Sequence, residues 1–208
     1  MGETVTAVLH SAGTFTLYAI AAVFTQNAVF ARALGVSRLV KLVDDENVDS
    51  LTFCVLLCFV QLLSAGLAFV VNRLWLGQFY LRTYVRALVL VGCTAVGFAV
   101  VLLVVVTWFS AARAKRIAAV LPMASFNCCV LGTLLISTTQ SYTLLQTLGF
   151  ALGSGIGYAG AVYLVTEGKR RLENADVPAT FRGLPVTLLY VSILALAIYG
   201  FTGHTLSY

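Results

Sequence analysis

Charge is what this chain has least of. Asp, Glu, Lys and Arg make up 10% of its 208 residues, where a water-soluble domain carries about 25%. A surface that poor in charge excludes an ordinary soluble fold and places most of the exterior against lipid. Histidine is almost absent: His10 and His204 stand near opposite ends without acidic neighbours in register, which reads as two interfacial residues rather than a catalytic pair. No phosphate loop or dinucleotide fingerprint occurs. Gly149, Gly153, Gly155, Gly157 and Gly160 lie inside an apolar run, where small residues let helices approach closely. The net charge of +5 does not point to nucleic acid, because the basic residues sit in short connections between apolar runs.

Those runs are what the chain does have. Hydrophobic residues make up 60% of it, and charge-free stretches cover Thr4–Ala31, Ser50–Asn72, Ala87–Ala112, Ile117–Thr166 and Gly183–Tyr208. About 20 apolar residues span a bilayer. Four stretches hold one span each, and Ile117–Thr166 holds two around a turn in Ser137-Thr138-Thr139-Gln140-Ser141. The reading is an all-α integral membrane protein with six transmembrane helices. Its start, nearly uncharged and without a small-residue cleavage site, predicts a retained first span rather than a cleaved leader.

Six spans distribute the connections between two sides. Arg32, Arg38, Lys41, Arg113, Lys115, Arg116, Lys169, Arg170, Arg171 and Arg182 fall on one side, and only Arg73, Arg82 and Arg86 on the other. Basic loops stay cytoplasmic, so both termini are expected outside, in a multi-pass protein of the cell (inner or plasma) membrane. The chain is read as a single membrane domain, 1–208, of two three-span halves, 1–112 and 113–208. An odd number of spans per half makes any repeat an inverted one.

Two spans carry interruptions. Leu121–Gly132 reads Leu-Pro-Met-Ala-Ser-Phe-Asn-Cys-Cys-Val-Leu-Gly, poor material for a continuous lipid-facing helix. About one hundred residues earlier, Thr25-Gln26-Asn27 interrupts the first span, and each break is followed by a glycine, Gly35 or Gly132. Paired broken segments at corresponding positions point to a midplane site. Asn27, Gly35, Asn127 and Gly132 are the residues expected to shape it, in helices 1 and 4. Of the five cysteines, Cys54, Cys58 and Cys93 read as small hydrophobes. Cys128 and Cys129 stand at a break as metal-ligand candidates, and adjacent positions on a helix allow at most one to face a given site. The charge-free runs hold no carboxylate, so any ion coupling would have to use backbone carbonyls, hydroxyls or a neighbour.

Phe126-Asn127-Cys128-Cys129-Val130-Leu131-Gly132 resembles the Asn-Cys-Ala-Val-Leu-Gly motif of the Rnf/Nqr membrane-subunit family. Ala175-Asp176-Val177-Pro178-Ala179-Thr180-Phe181-Arg182-Gly183 is similar to its Ala-Asp-Val-Pro-Ala-Pro-Phe-Arg-Gly loop, and Gly200-Phe201-Thr202-Gly203 to its closing Gly-Phe-Ser-Gly. Tyr80-Leu81-Arg82-Thr83 also fits. The resemblance covers nearly the whole chain. It implies two inverted three-helix repeats and a place in an ion-translocating complex that moves electrons between ferredoxin or quinone and a nicotinamide cofactor. This subunit would not bind the nicotinamide and would have no catalytic residue of its own. The implied partners are a homologous six-helix subunit, which shares a midplane [2Fe–2S] cluster with this chain, together with other Rnf/Nqr-type subunits. Outside termini match RnfA/NqrE-like members. Carried over by motif, Cys128 is the second-half ligand. In the first half, Asn27 leads through Gly35-Val36 to Ser37 where the family pattern has cysteine, so Ser37 takes the ligand position or the cysteine segment is deleted. The rival reading is a divergent, cluster-free relative acting as a transporter or scaffold.

Overall fold

The computed structural model describes residues 2–44, 49–74, 82–172 and 178–202. Eight α-helices occur among them: α1 (Gly2–Val23), α2 (Val36–Asp44), α3 (Ser50–Leu74), α4 (Arg82–Trp108), α5 (Ala111–Ser125), α6 (Cys128–Thr139), α7 (Leu144–Leu172) and α8 (Leu184–Thr202). A short 3-10 turn, Ala179–Phe181, precedes α8. No strand occurs among the described residues. Backbone that satisfies its own hydrogen bonds is what a lipid environment requires, and the apolar runs supply it. Tyr80, Leu81, Ala175–Val177, Gly203 and His204, which carry parts of the family-like motifs and one histidine, lie outside the described residues.

Helices α3, α4 and α7 are each long and apolar enough to cross a membrane, and α5 with α6, bent by 48° at the break between them, are so only taken together. The first and last charge-free runs give shorter apolar helices, Leu9–Val23 and Leu184–Gly200. The first is short because the break takes the rest of its run: Val23 is followed by turns and irregular backbone as far as Gly35. The expected turn forms where α6 ends, with Gln140 capping it and Ser141 at φ 53°.

Glycine sets the central packing. Gly149, Gly153 and Gly157 of α7 lie against the backbone of α1 at Phe15, Ala19 and Ala22–Val23 respectively. Both sets of numbers rise together, so α1 and α7 run parallel, with backbones as close as the missing side chains permit. Gly155 turns to Cys58 of α3, while nothing lies within 4 Å of a side chain built at Gly160. Helix α3 opposes α7: Phe53 meets Tyr158, and Cys58 meets Gly155. Further contacts join α3 to α5 and α6, α4 to α5 and α6, and α2 and α8 to α7.

The short α2 is amphipathic, burying Leu39, Val40 and Leu42 and leaving Lys41 exposed. Its end is tied to α7 by Lys169 Nζ and Asp44 Oδ1, 2.6 Å apart. Asp49, Arg113 and Arg116 line one cavity. Arg86 reaches Thr139, 3.5 Å away, and Arg73 shares a cavity with Tyr142. Most polar connections thus gather into two sets. Arg32, expected in the connection beyond the first span, instead sits within the break itself, donating to Gln26 Oε1 at 3.5 Å. The chain there folds back on itself before α2 begins.

Candidate functional site

The two interruptions are built alike. Asn27 accepts the backbone N–H groups of Val29 (2.9 Å) and Phe30 (3.2 Å) through Oδ1. Its Nδ2 donates to the carbonyls of Val23 (2.8 Å) and Gly157 (3.4 Å). Asn127 caps α6, its Oδ1 accepting the Cys129 N–H at 3.1 Å. An asparagine at a helix start satisfies N–H groups that the helix itself cannot. Both side chains are buried, Asn127 completely, and the Asn127 Nδ2 has no partner among the described atoms. Pro122 lies inside α5, and that helix stops at Ser125, whose hydroxyl donates back to the Leu121 carbonyl at 2.8 Å.

The breaks meet. Gly35, at φ +76°, lies so close to the second break that a Cβ there would be 2.7 Å from Asn127 Oδ1 and 2.9 Å from the Tyr158 ring. Leu34 packs onto Gly132. The Tyr158 hydroxyl donates to the Gly35 carbonyl at 3.3 Å, bridging α7 to the first break. Asn27, Gly35 and Asn127 therefore meet at one centre, with Gly132 beside it under Leu34.

The cysteines separate. Cys129 is fully buried, its Sγ 3.7 Å from Ser154 Oγ, whereas Cys128 is exposed. Ser37, in the first turn of α2, is exposed too. Cys54 and Cys93 are buried among apolar residues, as expected of small hydrophobes. No group of three or more His, Cys, Asp or Glu converges among the described residues. Cys128 is thus this chain's one accessible thiol at a break, and Cys129 faces inward.

Four residues that sequence reasoning missed complete the centre. Gln61 of α3 donates through Nε2 to Thr133 Oγ1 at 2.8 Å, Thr133 lies 2.9 Å from Ser154 Oγ, and Tyr158 stands beside Asn127. The signal was present in the sequence. Gln61 is an amide in the middle of an apolar run, and Cys129, Thr133 and Ser137 recur every fourth position, on one helix face.

These features define a multi-pass, all-α membrane protein organised around two interrupted helices. The profile of the family described as "Rnf-Nqr subunit, membrane protein" matches residues 15–205, and the chain belongs to that family. It is similar to the protein of Syntrophotalea carbinolica described as the A component of an ion-translocating oxidoreductase complex, 33% identical over 190 residues, covering 90% of this chain and 95% of that protein. The proteins of the same description from Shewanella amazonensis and Shewanella baltica are each 29% identical, over 91% of this chain and 97% of theirs.

Proposed function

We propose that this chain is the A-type membrane subunit of an ion-translocating oxidoreductase complex, and that its two halves are inverted repeats with six crossings. One observation carries the reading: two asparagine-capped breaks, about one hundred residues apart, meet in a single buried centre. Such breaks are where membrane proteins expose backbone for an ion or cofactor. The pattern of helix contacts supports the repeat. The pairing of α1 with α7 is echoed by α5 with α3, that of α2 with α7 by α6 with α3, and that of α3 with α4 by α7 with α8. Orientation follows from basic residues: the connections holding Arg38, Arg113–Arg116 and Lys169–Arg171 lie in the cytoplasm of a cell-membrane protein, and both ends lie outside. Impermeant thiol reagents should then label cysteines introduced at Gly2 and Thr205 in intact cells. Labelling only after permeabilisation reverses the orientation.

Within such a complex the nearest partner would be a homologous subunit, seated where Cys128 and Ser37 are exposed. A shared [2Fe–2S] group would draw Cys128 from this chain. Clusters are ordinarily held by four thiolates, and this chain offers one accessible thiol at its breaks, with serine at position 37. The residues do not fit the standard group. That misfit favours the second reading, a divergent relative that conducts ions or scaffolds the complex without a cluster. Visible absorbance of the chain co-purified with its homologous partner separates the two. Under the first reading iron–sulfur absorbance is present, vanishes in Cys128→Ser and strengthens in Ser37→Cys. Its absence from the wild-type pair selects the second.

A further inference from the structure

Two cavities open side by side where α3 begins, α4 ends and α5 begins. The first, of about 670 Å³, is lined by Arg113, Arg116 and Asp49 beside Thr52, Ile117 and Met123. The second, of about 510 Å³, is a groove between α3 and α4 walled by Leu51, Val55, Phe59, Leu63, Val104 and Phe109. Thr52 and Ile117 line both, so a charged mouth continues into an apolar groove. Arg113, Arg116, Ile117 and Val120 recur at intervals of three and four, on one face of α5, and that face passes from charge to hydrocarbon within two turns. Thr52 is the one polar residue of the groove among the described residues, and its hydroxyl is in use, donating to Asp49 Oδ2 at 2.7 Å. No acid pairs with Arg113 or Arg116 among the described residues. Nor do these cations serve their own helix, since positive charge in the first turns of a helix opposes its dipole. The mouth is thus lined by two cations and one carboxylate, a net charge of one that nothing described here offsets.

We propose that the two cavities together bind one anionic phospholipid, its phosphodiester held by Arg113 and Arg116 and an acyl chain laid in the groove between α3 and α4. A phosphodiester carries a single negative charge, which the excess cation of the mouth matches. Guanidinium groups present paired N–H donors that suit phosphate oxygens. The dimensions agree as well. From Leu51 to Leu63 the groove follows α3 for about 18 Å, against about 15 Å for half of a bilayer's hydrocarbon core. A chain whose phosphate sits at the arginines therefore lies in the groove through the depth of its leaflet. Farther along the same two helices, a cavity of about 620 Å³ lined by Leu67, Val71, Leu88, Val89 and Cys93 has no cation among its described residues. Charge thus selects a headgroup at one end of the α3–α4 pair and not at the other. That this end faces the cytoplasmic leaflet rests on the orientation proposed above; the site itself does not.

The test is quenching of tryptophan fluorescence by brominated lipid. Trp108 is 85% exposed and directly precedes Phe109 of the groove, and Trp75→Phe leaves it as the sole tryptophan. The full-length chain with that change is placed in phosphatidylcholine vesicles, and brominated phosphatidylglycerol is compared with brominated phosphatidylcholine as quencher. Phosphatidylglycerol should be preferred about tenfold or more. Each arginine should contribute about fivefold, so Arg113→Gln lowers the preference about fivefold, and Arg113→Gln with Arg116→Gln abolishes it; the single variant stands in should the double one fail to fold. Lys115 is exposed but lines neither cavity, and Lys115→Gln, which removes the same charge, should change the preference less than twofold. Equal quenching by the two lipids overturns the proposal, as does a preference undiminished in the glutamine variants. A loss in Lys115→Gln as large as in Arg113→Gln would mean diffuse surface charge rather than a site, which also overturns it. So would a preference erased by millimolar glycerol phosphate, the mark of an anion pocket that needs no acyl chain, or one lost when the homologous subunit is added, the mark of a groove covered by protein. The vesicles carry both lipids in both leaflets, so a reversed orientation of the chain leaves these outcomes unchanged.

Discussion

Replacing Gly35 with alanine tests whether the two breaks form one centre. The backbone there has φ +76°, a left-handed conformation that costs a residue with a side chain about 1–2 kcal/mol. The added methyl would also lie 2.7 Å from Asn127 Oδ1 and 2.9 Å from the Tyr158 ring. Neither neighbour yields easily, since Asn127 is held by the N–H it caps and Tyr158 is wholly buried. Overpacking of this kind costs about 1–3 kcal/mol, giving a total of about 2–5 kcal/mol. At about 2–4 °C per kcal/mol for a chain of this size, Tm should fall by roughly 4–20 °C. The control is Gly160→Ala, which meets nothing within 4 Å and should change Tm by a degree or two at most. Thermal unfolding in one detergent, followed by circular dichroism, makes the comparison. If Gly35→Ala unfolds at the same temperature as Gly160→Ala, the breaks do not pack as described and the shared centre is refuted.

The capping asparagines should differ in weight. Asn27→Ala strips two backbone N–H groups of their acceptor and should cost about 2 kcal/mol, while Asn127→Ala strips one, costing about 1 kcal/mol or less; equal losses would contradict these hydrogen-bond assignments. The Lys169–Asp44 pair is partly solvated, at 22% and 46% exposure, so a double-mutant cycle should give a coupling of about 0.5 kcal/mol that shrinks with added salt. A coupling several times larger would mean that this end is closed to water. Tyr142, in the turn between α6 and α7, has its pKa raised above the ordinary 10.0, chiefly by burial and then by Tyr18. The folded state therefore keeps the phenol proton where the unfolded chain has lost it, and this group's stabilisation, full below pH 10, is lost as pH rises through the folded value. Tyr142→Phe should flatten the alkaline fall in Tm, and an unchanged alkaline limb would rule that assignment out.

Hydrophobic periodicity and the placement of charge were enough to make this an all-α membrane protein, because lipid allows little else for runs of such length. The Pro122–Asn127 stretch announced a broken helix for the same reason: proline removes a backbone donor, and asparagine supplies a cap. The small-residue run of α7 announced close packing, and Gly149, Gly153 and Gly157 duly carry α1. Tertiary structure decided the rest. Whether Cys128 or Cys129 faces outward depends on the rotation of α6 against α7, which no local pattern fixes. Arg32 lies one residue past the first charge-free run, and only the folding of the chain around Asn27 draws it into the break. Gln61, Thr133 and Ser154 lie on three different helices, and each alone is an unremarked polar residue in an apolar span. Their meeting is set by long-range packing, Gly155 against Cys58 and Gly35 against Asn127, whose contacts join residues far apart in the chain and leave no periodic trace in it.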